Sequence, residues 1–390
     1  MQGGGRGSPR HELANLCSPL VLADIETDNA RQENRSTMQL NEYITLGRSG
    51  LRVSPLTLGT MTFGNDRWGS DDAEARRIFD RYVETGGNVL DCADVYSGGK
   101  AEELLGRFVA EAGLRDKLVI ATKFTFNPQE GNPNAGGNGR KNIYRALESS
   151  LRRLKMDYID LYWLHVWDTV TPVEEVIDTL STLVREGKIR YYGLSDVPAW
   201  YAARAQTLAQ CLGREPAIAL QLEYSLVERT IEREHVPAAR ELGMGICPWG
   251  PLASGFLAGK YTRDKGPESS QGSRLEVLKN ANNPAFKKFT ERNWGILEVL
   301  LTVAKELDRP AAQVALNWVA TQPGVTSTII GATKLAQLEA NLAAISFDIP
   351  AELRAELDAA SQLDPAHPYM FFEGVLQERI NGGVKVRKWS

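Results

Sequence analysis

The chain has 390 residues, 43% of them hydrophobic, and a formal net charge of −4. This length suits one large domain or two ordinary ones, and the mild acidity provides no positive footprint for nucleic acid. No apolar stretch approaches the roughly 18–20 residues of a membrane span. The four cysteines form no Cys-x-x-Cys pair, so neither a disulfide framework nor a zinc or other metal site is expected. A cytoplasmic location fits this cysteine usage best.

The N-terminal region differs in composition from the rest of the chain. A glycine-rich opening over residues 3–8 precedes a polar stretch without a core pattern. We expect residues 1–41 to be a disordered extension, with Met38 as a candidate for the true start. The other predicted boundaries are a catalytic domain over 42–362 and a C-terminal tail over 363–390.

From residue 56 onward, short apolar runs alternate with longer stretches of helical spacing. Eight runs are predicted as strands, over 56–63, 89–93, 118–124, 159–165, 189–195, 217–224, 244–249 and 326–331. Helical spacing lies between them, for example over 72–84, 141–154, 173–186, 237–242 and 310–320. This alternation predicts an α/β fold with a parallel sheet. Eight units favour a (β/α)₈ TIM barrel over an open doubly wound sheet, whose Gly-x-Gly-x-x-Gly turn does not follow the first run.

Two further features frame the predicted barrel. Residues 43–53 are typical of a β-hairpin whose turn carries Gly47 and Gly50, and such a hairpin would cover the N-terminal end. Long segments occur over 127–140, 251–293 and in the aromatic tail from residue 363. We expect them to lie at the C-terminal face and shape a substrate pocket, the alternative for each being a mobile surface loop.

Ionisable side chains stand at the ends of three successive predicted strands. Asp91 ends the second run with Tyr96 five residues later, Lys123 caps the third run, and His165 caps the fourth. Burying such groups is costly unless they have partners, so we expect the four side chains to converge. Each alone is more typical of packing, but the combination indicates a site for proton chemistry.

The chemistry that suits this set is proton donation by Tyr96. A free phenol has a pKa of about 10, and an ammonium about 4 Å away can favour the phenolate by about 4 kcal/mol, or about three pKa units. Asp91 would hold Lys123 in place, and His165 would orient a carbonyl oxygen or share the proton. Such a site serves a carbonyl that is receiving a hydride. The four residues carry no hydride, so a nicotinamide is implied.

On these residues the chain resembles the aldo-keto reductases, a family of NADP(H)-dependent (β/α)₈ oxidoreductases. The resemblance rests on Asp-Cys-Ala-Asp-Val-Tyr over 91–96, Ala-Glu-Glu-Leu-Leu-Gly over 101–106, Ala-Thr-Lys ending at Lys123 and Trp-Leu-His ending at His165. It covers about residues 43–350, and the segment 142–199 is most similar to the aryl-alcohol dehydrogenase and potassium-channel β-subunit branches. It implies NADPH or NADP⁺ as cofactor and a small-molecule carbonyl or alcohol as substrate.

The resemblance also implies the cofactor residues, position by position. Ser195 and Gln221 match residues that bind the nicotinamide carboxamide, and Trp249 matches an aromatic that stacks on the ring, with simple core packing as the alternative for Trp249. Asp196 stands where the family usually has Asn, and an ionised carboxylate cannot donate to the carboxamide oxygen. The other implied contacts are the ribose loop Gly59, Thr60 and Met61; the pyrophosphate loop Pro251, Leu252, Ser254, Gly255 and Lys260; and, for the 2′-phosphate and adenine, Arg274, Gly331, Thr333, Lys334, Gln337 and Asn341.

The expected activity is reversible, NADPH-dependent reduction of an aldehyde or ketone. An aromatic substrate pocket is expected from Trp68, Phe126 and Trp167, with loop packing as the alternative for each. The alternative function is an NADPH-binding regulatory or redox-sensing subunit resembling channel β-subunits. Those relatives generally carry Asn where this chain has His165, which favours the enzyme. The physiological substrate and the oligomeric state are left open.

Overall fold

The computed structural model describes residues 37–280, 286–372 and 374–386. Thr37–Pro365 forms one compact unit, and the described residues from Ala366 onward belong to a second. Most of the predicted N-terminal extension, residues 1–36, lies outside the described residues. The predicted domain limits at 41 and 362 stay predictions.

A small hairpin and a large parallel sheet make up the strands of the main unit. The hairpin pairs β1 (Ile44–Thr45) with β2 (Arg52–Val53) in antiparallel fashion. The parallel strands are β3 (Leu56–Gly59), β4 (Val89–Asp91), β5 (Val119–Phe124), β6 (Ile159–Leu164), β7 (Ile189–Ser195), β8 (Ala219–Gln221), β9 (Gly245–Ile246) and β10 (Thr328–Ile330). The eight strand predictions are confirmed, and all but β7 are shorter than their apolar runs.

The sheet closes on itself as a barrel. Its order is β10-β3-β4-β5-β6-β7-β8-β9, with every neighbouring pair parallel. The two edges meet where Thr326 N–H donates to the Ile246 carbonyl and Ile329 N–H donates to the Pro248 carbonyl, each at 2.8 Å. The predicted α/β (β/α)₈ fold is therefore confirmed.

Helices follow the strands around the outside. They are α1 (Asp72–Glu84), α2 (Lys100–Ala112), α3 (Arg140–Leu154), α4 (Val173–Arg185), α5 (Ala199–Cys211), α6 (His235–Leu242), α7 (Arg274–Val277), α8 (Glu291–Glu306), α9 (Ala311–Ala320), α10 (Leu335–Leu342) and α11 (Ala351–Ser361). The second unit contains its own helix, α12 (Val375–Ile380). The five stretches of helical spacing are confirmed as α1, α3, α4, α6 and α9. Among the described helices, none has the length and apolar character needed to cross a bilayer.

The barrel interior is packed, and its N-terminal end is covered by the hairpin. Leu46 and Val53 of the hairpin share an interior cluster with Trp163 of β6. Gly47 in the hairpin turn has φ +58, and a Cβ there would lie 2.3 Å from the carbonyl oxygen of Ile218. Only glycine fits so close an approach. The predicted hairpin is confirmed, and the residues predicted to be catalytic lie at the opposite, C-terminal end.

Candidate active site

The four predicted catalytic residues lie at the C-terminal ends of neighbouring strands. Asp91 is the last residue of β4, Lys123 is the penultimate residue of β5, and His165 directly follows β6. Tyr96 begins a short 3₁₀ helix, Tyr96–Gly99, that leaves the end of β4. Parallel pairing of β4 with β5 and of β5 with β6 brings these ends side by side.

Lys123 connects the other members of this tetrad. Its Nζ donates to the Asp91 carboxylate and to the Cys92 carbonyl at 2.8 Å, and it lies 3.4 Å from the Tyr96 hydroxyl oxygen. The second carboxylate oxygen of Asp91 accepts from Nε2 of Gln221 at 3.0 Å. The Tyr96 and His165 rings meet edge to face, with centroids 6.0 Å apart. The structure therefore brings the four side chains together.

The surroundings fix the charges of Lys123 and His165. Burial lowers the pKa of Lys123, but Asp91 and Tyr96 together outweigh it, so the pKa is raised overall and the ammonium stays charged. Burial, helped by Lys123, lowers the pKa of His165 well below its usual value. The imidazole is therefore neutral at pH 7 and has one donor and one acceptor nitrogen.

The pKa of Tyr96 differs from the expectation. Burial raises it above the ordinary value, Lys123 opposes this rise, and Asp91 adds to it. Lys123 does lower this pKa, but the predicted net lowering is wrong for this arrangement, because desolvation of a phenolate outweighs an ammonium that Asp91 already neutralises. Tyr96 is a protonated phenol at neutral pH, which is the form that donates a proton.

The residues predicted for the nicotinamide form a second group beside the tetrad. Ser195 pairs in register with Gln221, and the backbone N–H of Asp196 donates to the Gln221 carbonyl at 3.2 Å. Nε1 of Trp249 donates to Oδ1 of Asp196 at 3.1 Å. Burial raises the pKa of Asp196 to about 6, although the bond from Trp249 opposes the rise.

The predicted ribose loop borders Asp91 as well. Gly59 pairs with Asp91 between β3 and β4, and the backbone N–H of Thr60 donates to the Asp91 carbonyl at 2.9 Å. Met61 follows, with its sulfur 3.9 Å from Nη2 of Arg274. The loop thus lies at the same end of the barrel as the tetrad.

The predicted pyrophosphate loop has an unusual backbone. After Pro251 and Leu252, the residues Ala253, Ser254 and Gly255 have φ values of +49, +58 and +90. Successive left-handed residues of this kind occur in anion-binding concavities, and here the N–H groups of Ala253 and Gly255 donate to the carbonyls of Gly250 and Leu252, at 2.7 and 2.9 Å. Non-glycine residues rarely adopt this conformation, and such strain clusters at functional sites.

A cation lies beside this loop. A Cβ placed at Gly255 would be 3.3 Å from Nζ of Lys260, so the ammonium is close to the turned backbone. Burial lowers the pKa of Lys260, and no acidic residue of the described chain opposes that effect. An ammonium without an acidic partner in the described chain, beside this turned backbone, suits a phosphate group.

The residues predicted for the adenine end lie after β10 and in α10. Both the N–H and the hydroxyl of Thr333 donate to Oε1 of Gln337, at 2.8 and 3.0 Å. Nδ2 of Asn341 donates to the Gly331 carbonyl at 3.1 Å. Lys334 is the N-cap of α10 and is exposed. These bonds shape a turn at whose end Lys334 is exposed.

Arg274 lies closer to the catalytic end than its predicted role suggests. Its guanidinium stands 5.0 Å from the ring centre of Trp68 and 5.1 Å from that of Phe286. Burial lowers its pKa, and Tyr96 and Glu223 oppose this effect electrostatically. Its role at the 2′-phosphate stays a prediction.

Comparison with known proteins decides the family. The sequence model described as the Aldo/keto reductase family matches residues 55–362. The chain belongs to the aldo/keto reductase family. An aryl-alcohol dehydrogenase of Pestalotiopsis microspora is 32% identical over 340 residues, which cover 84% of this chain and 85% of that protein. The norsolorinic acid reductase of Aspergillus flavus is 33% identical over 337 residues, 83% of this chain and 81% of that protein.

A third relative carries a different kind of name. The probable voltage-gated potassium channel subunit beta of Oryza sativa is 38% identical over 307 residues, which cover 78% of this chain and 91% of that protein. The resemblance to both branches is therefore confirmed. Aldo/keto reductases generally use nicotinamide cofactors on small carbonyl substrates, so the chain is an oxidoreductase of that general class.

The aldo/keto reductase has an aromatic wall beside the tetrad. Phe126 is 46% exposed and meets the His165 ring edge to face, with centroids 4.9 Å apart. Trp167 packs edge to face on Trp200 at 5.4 Å. Sequence reasoning missed Trp200, which is 54% exposed at the start of α5. Its position five residues after Ser195, where β7 ends, is the signal that could have found it.

The long loop over 127–139 is fastened to the barrel. Asn138 is fully buried and accepts from the Thr125 hydroxyl at 2.7 Å. Its Nδ2 donates to the Val166 carbonyl at 3.0 Å, and its backbone N–H donates to Asp168 at 2.8 Å. These bonds tie the base of the loop to the segment after His165 and favour a pocket wall over a loose surface loop.

Asp94, within the same motif as Tyr96, belongs to a buried polar cluster. Glu102 accepts from the Thr122 hydroxyl at 2.5 Å and from Nε of Arg153 at 2.6 Å. Burial, with a contribution from Glu102, raises the pKa of Asp94 to about 7. Oδ1 of Asp94 has no hydrogen-bond partner among the described residues. The tetrad makes no use of this carboxyl group.

Proposed function

We propose that this protein reversibly reduces an aldehyde or ketone to an alcohol with NADPH, and that Tyr96 donates the proton. The observation that carries the proposal is the 3.4 Å separation between the Tyr96 hydroxyl and a buried ammonium held by Asp91. A structural ion pair alone would not need a phenol, a neutral imidazole and an aromatic wall at the same strand ends.

The residues divide the chemistry among them. When bound, NADPH would supply a hydride for the carbonyl carbon, and negative charge would then develop on the carbonyl oxygen. Tyr96 donates its proton to that oxygen, and Lys123 stabilises the resulting phenolate. His165, being neutral, donates a hydrogen bond that orients the oxygen. Asp91 keeps Lys123 charged and in place, and Gln221 fixes Asp91.

The donor set fits NADPH at three places. Ser195, Asp196 and Gln221 offer hydrogen-bonding groups for the carboxamide, beside Trp249. The concavity at Ser254 and Gly255, with Lys260, suits the pyrophosphate. Lys334 offers an exposed cation for the 2′-phosphate, which favours NADPH over NADH.

The cysteines bear on where the protein acts. Cys92 and Cys247 are buried and form no disulfide, which fits action in the reducing cytoplasm.

Two observations guide the choice of substrate and the alternative function. The aromatic wall supports a planar, aromatic carbonyl compound, in keeping with the name of the Pestalotiopsis relative. The similarity to the channel β-subunit favours, as second candidate, an NADPH-binding regulatory subunit. Retention of His165 supports the enzyme, because this residue completes the group around the carbonyl oxygen.

A single screen separates the two candidates. Oxidation of NADPH, and of NADH in parallel, is followed with a panel of aryl aldehydes, cyclic ketones and keto-sugars, in both directions. Steady turnover with an aryl aldehyde, faster with NADPH, is the expected result. Tight NADPH binding without turnover across the panel contradicts the enzyme and supports the regulatory subunit.

A further inference from the structure

Asp196 is held in a defined position between the catalytic and the cofactor-binding residues. It directly follows β7 with φ +45, and its backbone N–H donates to the Gln221 carbonyl at 3.2 Å. Its own carbonyl accepts from the N–H of Trp167 at 3.4 Å. Because Asp and Asn tolerate this left-handed conformation better than most residues, either could occupy the position.

The two carboxyl oxygens of Asp196 have different surroundings. Oδ1 accepts from the indole N–H of Trp249 at 3.1 Å. An indole nitrogen is only a donor, so Oδ1 must remain an acceptor. Oδ2 makes no hydrogen bond to any residue in the described part of the chain. A proton on this carboxyl group therefore belongs on Oδ2.

We propose that Asp196 binds the nicotinamide carboxamide in its protonated form, donating from Oδ2 to the carboxamide oxygen. In that form it reproduces an asparagine, with one atom accepting from Trp249 and the other donating to the ligand. As a carboxylate it has no donor and sets a negative oxygen against the carbonyl oxygen. NADPH affinity is then controlled by pH. The inference rests on the proposed function, since it needs NADPH in this site.

The neighbouring charges support this protonation. Burial raises the pKa of Asp196 to about 6; the Trp249 bond opposes the rise, Glu223 adds to it, and Lys123 opposes it. Glu223 forms an ion pair with Lys288 at 2.7 Å, and the positive charge of Arg274 also acts on it. His165 carries no charge at neutral pH.

The direction of the pH effect follows by linkage. Donation to the ligand raises the pKa of Asp196 in the complex above its value of about 6 in the free protein. The NADPH affinity that this hydrogen bond adds is therefore fully present below the pKa of Asp196 in the free protein. It is lost as the pH rises through the pKa of Asp196 in the NADPH complex.

Asp196→Asn is the matched control, because an amide keeps both roles and does not titrate. The Kd for NADPH is measured in both proteins from pH 5 to pH 8 by quenching of tryptophan fluorescence. We expect the ratio of the wild-type Kd to the D196N Kd to rise from about one at pH 5 to about ten at pH 8. A tenfold change in Kd is about what the loss of one hydrogen bond causes. Titration of the 2′-phosphate affects both proteins and cancels in the ratio. A ratio that is constant or falls with pH overturns the inference.

A second ligand shows which carboxamide atom is involved. The reduced 3-acetylpyridine analogue of NADPH keeps the carbonyl oxygen and lacks the NH₂ group. If Asp196 donates to the oxygen, the same rise in the ratio occurs with this analogue, whereas a rise confined to NADPH means that the effect depends on the NH₂ group rather than on the oxygen and overturns the inference. If neither folded protein binds NADPH at any pH, the proposed function itself fails, and the inference fails with it.

Discussion

Nε2 of Gln221 donates to Oδ1 of Asp91 at 3.0 Å, while the other carboxylate oxygen of Asp91 contacts Lys123. One buried carboxylate is thus held from two strands, β8 and β5. This arrangement restricts Asp91 to supporting the ammonium, because both of its oxygens already have partners. The lysine can then act on Tyr96 without moving away.

Removal of the ammonium should cost both stability and turnover. Lys123→Met leaves Asp91 buried and without its counter-ion, so we expect a loss of about 3–5 kcal/mol in the free energy of unfolding. Urea denaturation measures this loss. In the Asp91→Asn/Lys123→Met double variant the stability should largely return, but turnover should not. A double variant that regains turnover would show that Lys123 serves folding alone.

At saturating NADPH, the protonation state of Tyr96 should set the pH dependence of the reduction rate. Because burial raises its pKa above about 10, the phenol stays protonated through neutral pH, and reduction is lost only as the pH rises through that raised value. His165 adds no inflection near its usual pKa, since its own pKa is far lower. Single-turnover rates at saturating NADPH from pH 6 to pH 10 test this. A loss of rate centred near pH 7 would contradict the raised pKa.

Lys260 should contribute to cofactor binding rather than to the chemical step. Lys260→Met removes the ammonium beside Gly255 and should raise the Kd for NADPH roughly tenfold, with turnover at saturation nearly unchanged. Fluorescence titration and steady-state kinetics separate the two effects. Lys265→Met is the matched control, because that lysine is likewise exposed in the same segment but does not lie against Gly255. An equal effect of both variants would indicate only long-range charge.

The fastened loop should matter for substrate binding. Asn138→Ala removes buried hydrogen bonds and should cost about 1–3 kcal/mol of stability. It should also raise the KM for an aryl aldehyde, because the loop follows Phe126 closely. The exposed Asn134→Ala, in the same loop, should change neither quantity. Thermal denaturation and kinetics measure both effects, and identical KM values in the two variants would speak against a pocket wall.

The sequence was sufficient for the barrel and for the placement of the tetrad. Buried parallel strands are continuous apolar runs, so an ionisable residue at the end of such a run stands out, as Asp91 and Lys123 do. Strand ends were placed less well, because apolar residues continue past the last ladder bond. β8, for example, is three residues long where the run has eight.

Other parts of the site had no sequence signal. The bond between Gln221 and Asp91 joins residues 130 positions apart and depends on side-chain rotamers. The raised pKa of Tyr96 depends on the balance of burial against Lys123, which spacing does not reveal. Asn138 lies in a Gly- and Asn-rich segment whose composition suggests mobility, yet three hydrogen bonds hold it in place.

The most direct test of the account is Tyr96→Phe, studied with an aryl aldehyde that the wild-type protein reduces. The substitution removes only the hydroxyl that lies 3.4 Å from Lys123. We predict that the Kd for NADPH stays within about twofold, while the single-turnover rate of NADPH oxidation falls by about 100-fold or more. A variant that binds NADPH normally and still reduces the aldehyde at the wild-type rate would contradict the role of Tyr96 as proton donor.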